Sequence, residues 1–185
     1  SLILTPAREA AEEPATEMAA APAVSEAAPV PALTRKIEIE APIPGEVIPL
    51  TKVKDQTFAS GVLDEGYAIV PSEGKVYAPF DGTCENLFDT LHAMGLLSDS
   101  GIELLIHVGI DTVNLDGKHY TGHVEDGRRG KAGDLLLEFD IAAIEKEGYK
   151  TITPVIVTNS DDYAEVERMI GTVAACKDTL MKLKR

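Results

Sequence analysis

The stretch Gly101-Ile-Glu-Leu-Leu-Ile-His-Val-Gly-Ile-Asp-Thr-Val113 decides how the rest of the chain is read. Drawn as a strand, it sends successive side chains to opposite faces. One face carries Ile102, Leu104, Ile106, Val108 and Ile110, a continuous aliphatic stripe that must face a core. The other carries Glu103, Leu105, His107, Gly109 and Asp111. His107 is then held rigidly on the less apolar face, with its back to the interior.

Gly109 shares that face and offers no side chain, so a partner or a phosphate can approach the backbone closely there. Its carbonyl can also accept a hydrogen bond from one ring nitrogen of His107. Such a bond fixes the tautomer and leaves the other nitrogen as a nucleophile. An ordinary imidazole, with a pKa near ~6.5, is largely neutral at cellular pH and can attack phosphorus without a strong base. The competing reading is a hydrogen-bonded strand histidine with no chemistry, and on the face assignment alone the two are evenly matched.

Outward from this stretch, short apolar runs recur between Gly, Pro, Asp and Asn clusters. Examples are Gly45-Glu-Val-Ile-Pro-Leu50, Gly66-Tyr-Ala-Ile-Val-Pro71, Gly74-Lys-Val-Tyr-Ala-Pro79 and Asp81-Gly82-Thr-Cys84. This spacing predicts an all-β fold of many short strands joined by tight turns, a sandwich or barrel. Two stretches resist it. Glu85–Met94 can be drawn as an amphipathic helix with Leu87, Leu91 and Met94 on one face. Asp161–Met169 looks more helical, with Ser160 as N-cap, acidic residues in its first turn and Met169 packing inward. Ile141–Glu147 reads as one more short helix.

Residues 1–36 differ from the remainder. They are rich in Ala, Pro and Glu, contain no aromatic residue and keep no period, so they cannot offset their ordering entropy by burial. They read as a flexible interdomain linker, and 37–185 as one globular domain. The chain starts at Ser1 without Met, which suggests a piece of a longer protein. A tail on a free-standing protein is the alternative.

A net charge of −14 disfavours nucleic acid and anionic membrane surfaces and favours basic protein partners. No apolar run approaches the roughly 20 residues of a membrane span, and a signal peptide's basic start is missing. Cys84 and Cys176 are the only cysteines and read as reduced thiols of a cytosolic protein.

The quoted stretch resembles the active-site signature of the enzyme IIA domains of the glucose superfamily, from the phosphoenolpyruvate-dependent sugar phosphotransferase system. That signature is a Gly, two variable residues, three aliphatics, then His-aliphatic-Gly-aliphatic-x-Thr-Ala/Val, and it stands complete from Gly101 to Val113. Ala41-Pro-Ile-Pro-Gly-Glu-Val47, Phe58-Ala59, Ala78-Pro-Phe-Asp-Gly82, Thr90-Leu-His-Ala93 and Gly133-Asp-Leu-Leu-Leu-Glu-Phe-Asp140 are similar to further family blocks. Gly148–Ser160 looks most like the β-glucoside and sucrose members, in which the IIA domain often follows membrane and IIB domains in one chain. The likeness covers about residues 40–182.

The resemblance implies a compact antiparallel β-sandwich with Greek-key and jellyroll features. It implies that His107 is phosphorylated on Nε2 by the small phosphocarrier protein HPr and passes the group to a cysteine of a IIB domain. His92 would donate a hydrogen bond to the phosphoryl group, Thr90 would orient His92, and the Gly109 carbonyl would orient His107. Phe58, Phe88, Leu105 and Val113 match apolar positions of the partner-binding depression, and Asp55 and Asp111 match its acidic rim. Leu105 stands where the best-known member has an aromatic. No cofactor and no required metal are implied. The domain is expected to be cytoplasmic, not inserted in the membrane, and tethered to its inner face through upstream permease domains.

Other histidines and charges carry less. His119 and His123 lie in a Gly-rich strand or turn, where helix spacing is irrelevant, and read as exposed or incidental. Arg128-Arg129 and Lys182-Leu-Lys-Arg185 read as solvated surface. A lipoyl or biotinyl carrier domain would need a carrier lysine in a characteristic tripeptide, which does not occur. A zinc metallopeptidase of related architecture would need a His-x-His pair, also missing. A stand-alone regulatory IIA protein remains as the alternative role.

Overall fold

The computed structural model describes residues 36–53 and 66–184. Its strands in chain order are β1 (Lys36–Glu40), β2 (Gly45–Pro49), β3 (Gly66–Pro71), β4 (Lys75–Tyr77), β5 (Gly82–Leu87), β6 (Ala93–Ser98) and β7 (Glu103–His107). There follow β8 (Tyr120–Gly122), β9 (Arg129–Gly130), β10 (Leu135–Phe139), β11 (Thr153–Val157), β12 (Glu165–Arg168), β13 (Gly171–Val173) and β14 (Thr179–Lys184). Among the described residues, eight of them form one sheet in the order β13-β2-β3-β11-β7-β6-β5-β9, and the others form two three-stranded sheets, β4-β10-β8 and β1-β14-β12. The strand pairings are antiparallel. The all-β expectation therefore holds.

β7 lies inside the large sheet, flanked by β11 and β6. Its aliphatic stripe is buried as the alternation requires: Ile102, Leu104, Ile106 and Val108 join the main core. Ile110 does not. It is half-buried in a second cluster with Leu105, Ile156, Ala68 and Val53, on the sheet face that carries His107. The extended run ends at His107, and positive φ at Gly109 (+91°) and Asp111 (+59°) turns the chain over, so the strand alternation stops one turn short of Ile110.

The segment Ile141–Lys146 is the α-helix expected there (α1), capped by Asp140, whose carboxylate accepts from the Ala143 N–H at 3.0 Å. The other helical readings fail. Glu85–Met94 is split between β5 and β6, with Leu87 paired to Met94. Leu91 at φ +57° is incompatible with a helix, yet Leu87, Leu91 and Met94 still reach the core from the hairpin. Asp161–Met169 becomes a 3₁₀ turn, Ser160–Asp162, followed by strand β12. Ser160 lies inside that turn rather than capping it. Strand wins because β14 supplies a matching ladder: Val166 faces Leu183, while Glu165 and Glu167 face Lys184 and Lys182. Met169 falls beyond the strand and is 42% exposed, so it does not pack inward. Among the described residues, no helix is long and apolar enough to cross a membrane.

Candidate active site

The register of the large sheet brings two histidines together. His107 closes β7 and pairs with Ala93, the first residue of β6, so His92 stands immediately before the facing strand. The Val108 N–H then donates to the His92 carbonyl at 2.6 Å. The two imidazoles meet edge to plane, with centroids 4.9 Å apart and an interplanar angle of 77°.

Each ring is held from behind at Nδ1. His107 Nδ1 lies 2.7 Å from the Gly109 carbonyl. A carbonyl only accepts, so Nδ1 carries the proton and Nε2 carries the lone pair. His92 Nδ1 lies 2.5 Å from Thr90 Oγ1. His92 is 5% exposed, and burial first, then the charge of His107, pushes its pKa down to about 4. It is therefore neutral near pH 7. A hydroxyl can donate or accept; when Thr90 donates into Nδ1, the ring proton of His92 sits on Nε2. In that arrangement one imidazole offers a nucleophilic nitrogen and its neighbour an N–H donor.

Gly109 serves differently from the sequence expectation of an open approach. A Cβ there would sit 2.4 Å from Thr112 Cγ2 and 2.9 Å from the Lys150 carbonyl oxygen. The face is filled by the protein itself. Glycine is required because of its positive φ and this contact, and the result is a carbonyl turned back onto His107.

The rim is apolar. Phe88 is 42% exposed, with its ring centroid 5.6 Å from that of His92. Val113 is 49% exposed in the 3₁₀ turn Thr112–Leu115, and Leu105 shares the outer face of β7 with His107. Asp111 is exposed at the N-cap of that turn, and its backbone carbonyl accepts from the Asn114 N–H at 3.1 Å and Asn114 Nδ2 at 3.0 Å. Phe58 and Asp55 lie outside the described residues.

Two residues without an expected role stand behind the pair. The hydroxyls of Thr112 and Tyr120 both donate to the Val108 carbonyl, at 2.7 and 2.8 Å. Thr112 belongs to the signature stretch, whereas only an aromatic amid Gly-rich sequence hinted at Tyr120. His119 and His123 do not converge: His119 Nε2 is 3.2 Å from Glu147, and His123 Nε2 is 2.6 Å from Glu138. The His119 side chain is partly buried rather than exposed. Arg129 pairs with Asp99 at the surface, at 2.6 Å. Among the described residues, no three or more His, Cys, Asp or Glu gather as a metal-holding set.

Fold and site together define a class: small antiparallel β-domains that present a histidine pair on one face of a sheet. Residues 37–163 match the family model of the phosphoenolpyruvate-dependent sugar phosphotransferase system, EIIA 1, and the chain belongs to that family, a component of a phosphotransferase system. It is similar to the PTS system β-glucoside-specific EIIBCA component of Dickeya chrysanthemi, 57% identical over 68% of this chain and 20% of the relative. The component of the same name from Halalkalibacterium halodurans is 47% identical over 81% of this chain and 24% of the relative. The chain thus spans about a fifth to a quarter of the length of these curated relatives. The glucose permease IIA of Mycoplasma capricolum superposes with a TM-score of 0.73 at 31% identity, over 80% of this chain and 96% of that one.

Proposed function

We propose that this domain takes a phosphoryl group from phospho-HPr on His107 Nε2 and hands it to a cysteine of a IIB domain, for coupled uptake and phosphorylation of a β-glucoside. The observation that carries the reading is the bond from His107 Nδ1 to the Gly109 carbonyl, which leaves the lone pair of Nε2 beside the second imidazole. In the first step that lone pair attacks phosphorus. An N–P bond forms at His107 while the N–P bond of the donor phosphohistidine breaks, and the donor keeps that electron pair. In the second step a thiolate attacks phosphorus, an S–P bond forms, and His107 recovers its lone pair as a neutral imidazole.

Little covalent chemistry is asked of the protein; it positions groups and balances charge. His92 donates its Nε2–H to the phosphoryl oxygens, with Thr90 holding its ring. Phe88, Leu105 and Val113 keep water from the labile N–P bond, joined by Phe58. Asp111 and Asp55 draw basic partners and favour departure of the anion.

The names of the β-glucoside-specific relatives support the sugar, and their EIIBCA fusion supports a IIB domain on the same polypeptide. On this reading residues 1–36 are the linker to it, 37–185 are the carrier domain, and the domain works in the cytoplasm beside the membrane. The test is transfer from labelled phosphoenolpyruvate through enzyme I and HPr, with the label located by mass spectrometry. His107→Ala should accept none, and His92→Gln should accept but pass the group on poorly. Acceptance lost only in His92→Gln would reverse the two roles.

A further inference from the structure

The Val108 carbonyl belongs to the peptide unit whose tilt sets φ at Gly109. The oxygen of that unit is gripped from both sides of the fold, since it receives the hydroxyls of Thr112 and Tyr120. The preceding unit, 107–108, is fixed by the Val108 N–H, which donates to the His92 carbonyl at 2.6 Å. A carbonyl oxygen has two lone pairs, and these two donors match them. Thr112 is local, four residues on. Tyr120 comes from β8, in a different sheet, and its ring lies stacked on Phe139 of β10 at 6.3 Å and 29°.

Tyr120 is 7% exposed, and burial pushes its phenol pKa up, so its hydroxyl stays protonated and donates. A phenylalanine would fill the same space in the core. The hydroxyl is thus the one part of this side chain that reaches the backbone beside the histidine pair. The Gly109 carbonyl belongs to the next unit, 109–110, whose Ile110 N–H donates to the Lys150 carbonyl at 3.0 Å. If the 108–109 unit tilts, φ at Gly109 changes, the Gly109 carbonyl shifts relative to His107 Nδ1, and its hold on the tautomer weakens.

We propose that Tyr120 is a positioning residue of the phosphoryl-acceptor site, acting through the Val108 carbonyl to hold the Gly109 carbonyl against His107 Nδ1. The inference deepens the reading of His107 as acceptor and rests on it for its kinetic consequence, but its geometric part is measurable alone.

The experiment compares the 185-residue chain with its Tyr120→Phe, Thr112→Val and Thr112→Ser variants. ¹⁵N NMR of the labelled imidazoles reads the His107 tautomer, and rapid-quench transfer from phospho-HPr reads the rate. Tyr120→Phe and Thr112→Val should both lower the Nδ1–H fraction of His107 and slow phosphoryl acceptance by about three- to tenfold, the scale of one lost hydrogen bond. Thr112→Ser retains the hydroxyl and should retain the wild-type tautomer. Lower stability in Tyr120→Phe with an unchanged tautomer overturns the proposal, because a purely structural role predicts that result. Should Tyr120→Phe fail to fold, the wild-type spectrum decides: a Tyr120 hydroxyl proton with a coupling across the hydrogen bond to the Val108 carbonyl carbon supports the link, and a hydroxyl proton that exchanges freely with solvent refutes it. Label found on a residue other than His107 in the wild type refutes the acceptor reading instead, and the tautomer data still judge Tyr120.

Discussion

His92 stands edge-on to His107, centroids 4.9 Å apart, and its pKa is pushed down to about 4, by burial first and then by repulsion from His107 when that ring is protonated. The ring beside His107 is therefore uncharged near pH 7. On the proposed reading, a cationic ring there would hold the phosphoryl group more tightly and slow its onward transfer.

The depressed pKa of His92 has a signed effect on stability. Between about 4 and the ordinary ~6.5 of a free imidazole, the unfolded chain binds a proton that the folded chain refuses. Stability is therefore full above that upper value and falls as pH drops through the window, by about 1–3 kcal/mol in total from this residue. Urea melts across the window should show the loss, and His92→Gln should remove that part of the slope. An identical slope in the variant would refute the assignment.

Thr90→Val keeps the shape of the side chain and deletes the hydroxyl 2.5 Å from His92 Nδ1. His92 should then populate both tautomers. Phosphoryl acceptance on His107 should persist while onward transfer slows roughly three- to tenfold, since only the orientation of the donor is lost. Rapid-quench kinetics on the two half-reactions separates these effects.

Gly109→Ala should be costly, because the new methyl would overlap Thr112 Cγ2 and the backbone sits at φ +91°. A destabilisation of about 2–4 kcal/mol is expected from strain and overpacking together. The urea midpoint measures it. A near-neutral result would mean the loop reshapes freely and that glycine is not needed at this turn.

Phe88→Ala should separate binding from folding. The ring is 42% exposed, so stability should change by about 0.5 kcal/mol or less. Affinity for phosphocarrier and IIB partners should fall about tenfold if Phe88 is an anchor of the docking surface. Calorimetric titration with HPr against a urea melt of the same protein gives both numbers.

Much of the site was legible because it lies within one strand and its exit. Alternation alone placed Leu104 and Ile106 inward and His107 outward, and two-residue spacing put the Gly109 carbonyl within reach of the ring. Resemblance supplied His92 and Thr90, which no local pattern joins to His107. The failures share a cause. Glu165–Arg168 has a helix-compatible composition, and only the ladder offered by β14 makes it a strand. Ile110 continues the aliphatic alternation on paper, but a positive φ at Gly109 ends the strand before it.

Local pattern therefore settled the all-β class, the buried stripe of β7 and the outward imidazole, because side-chain direction along a strand is a property of neighbouring residues. The pairing of His92 with His107, the depressed pKa that follows from it, and the reach of the Tyr120 hydroxyl into the Val108 carbonyl were decided only by folding. Each depends on register or on contact between sheets, where residues distant along the chain meet and burial sets their protonation.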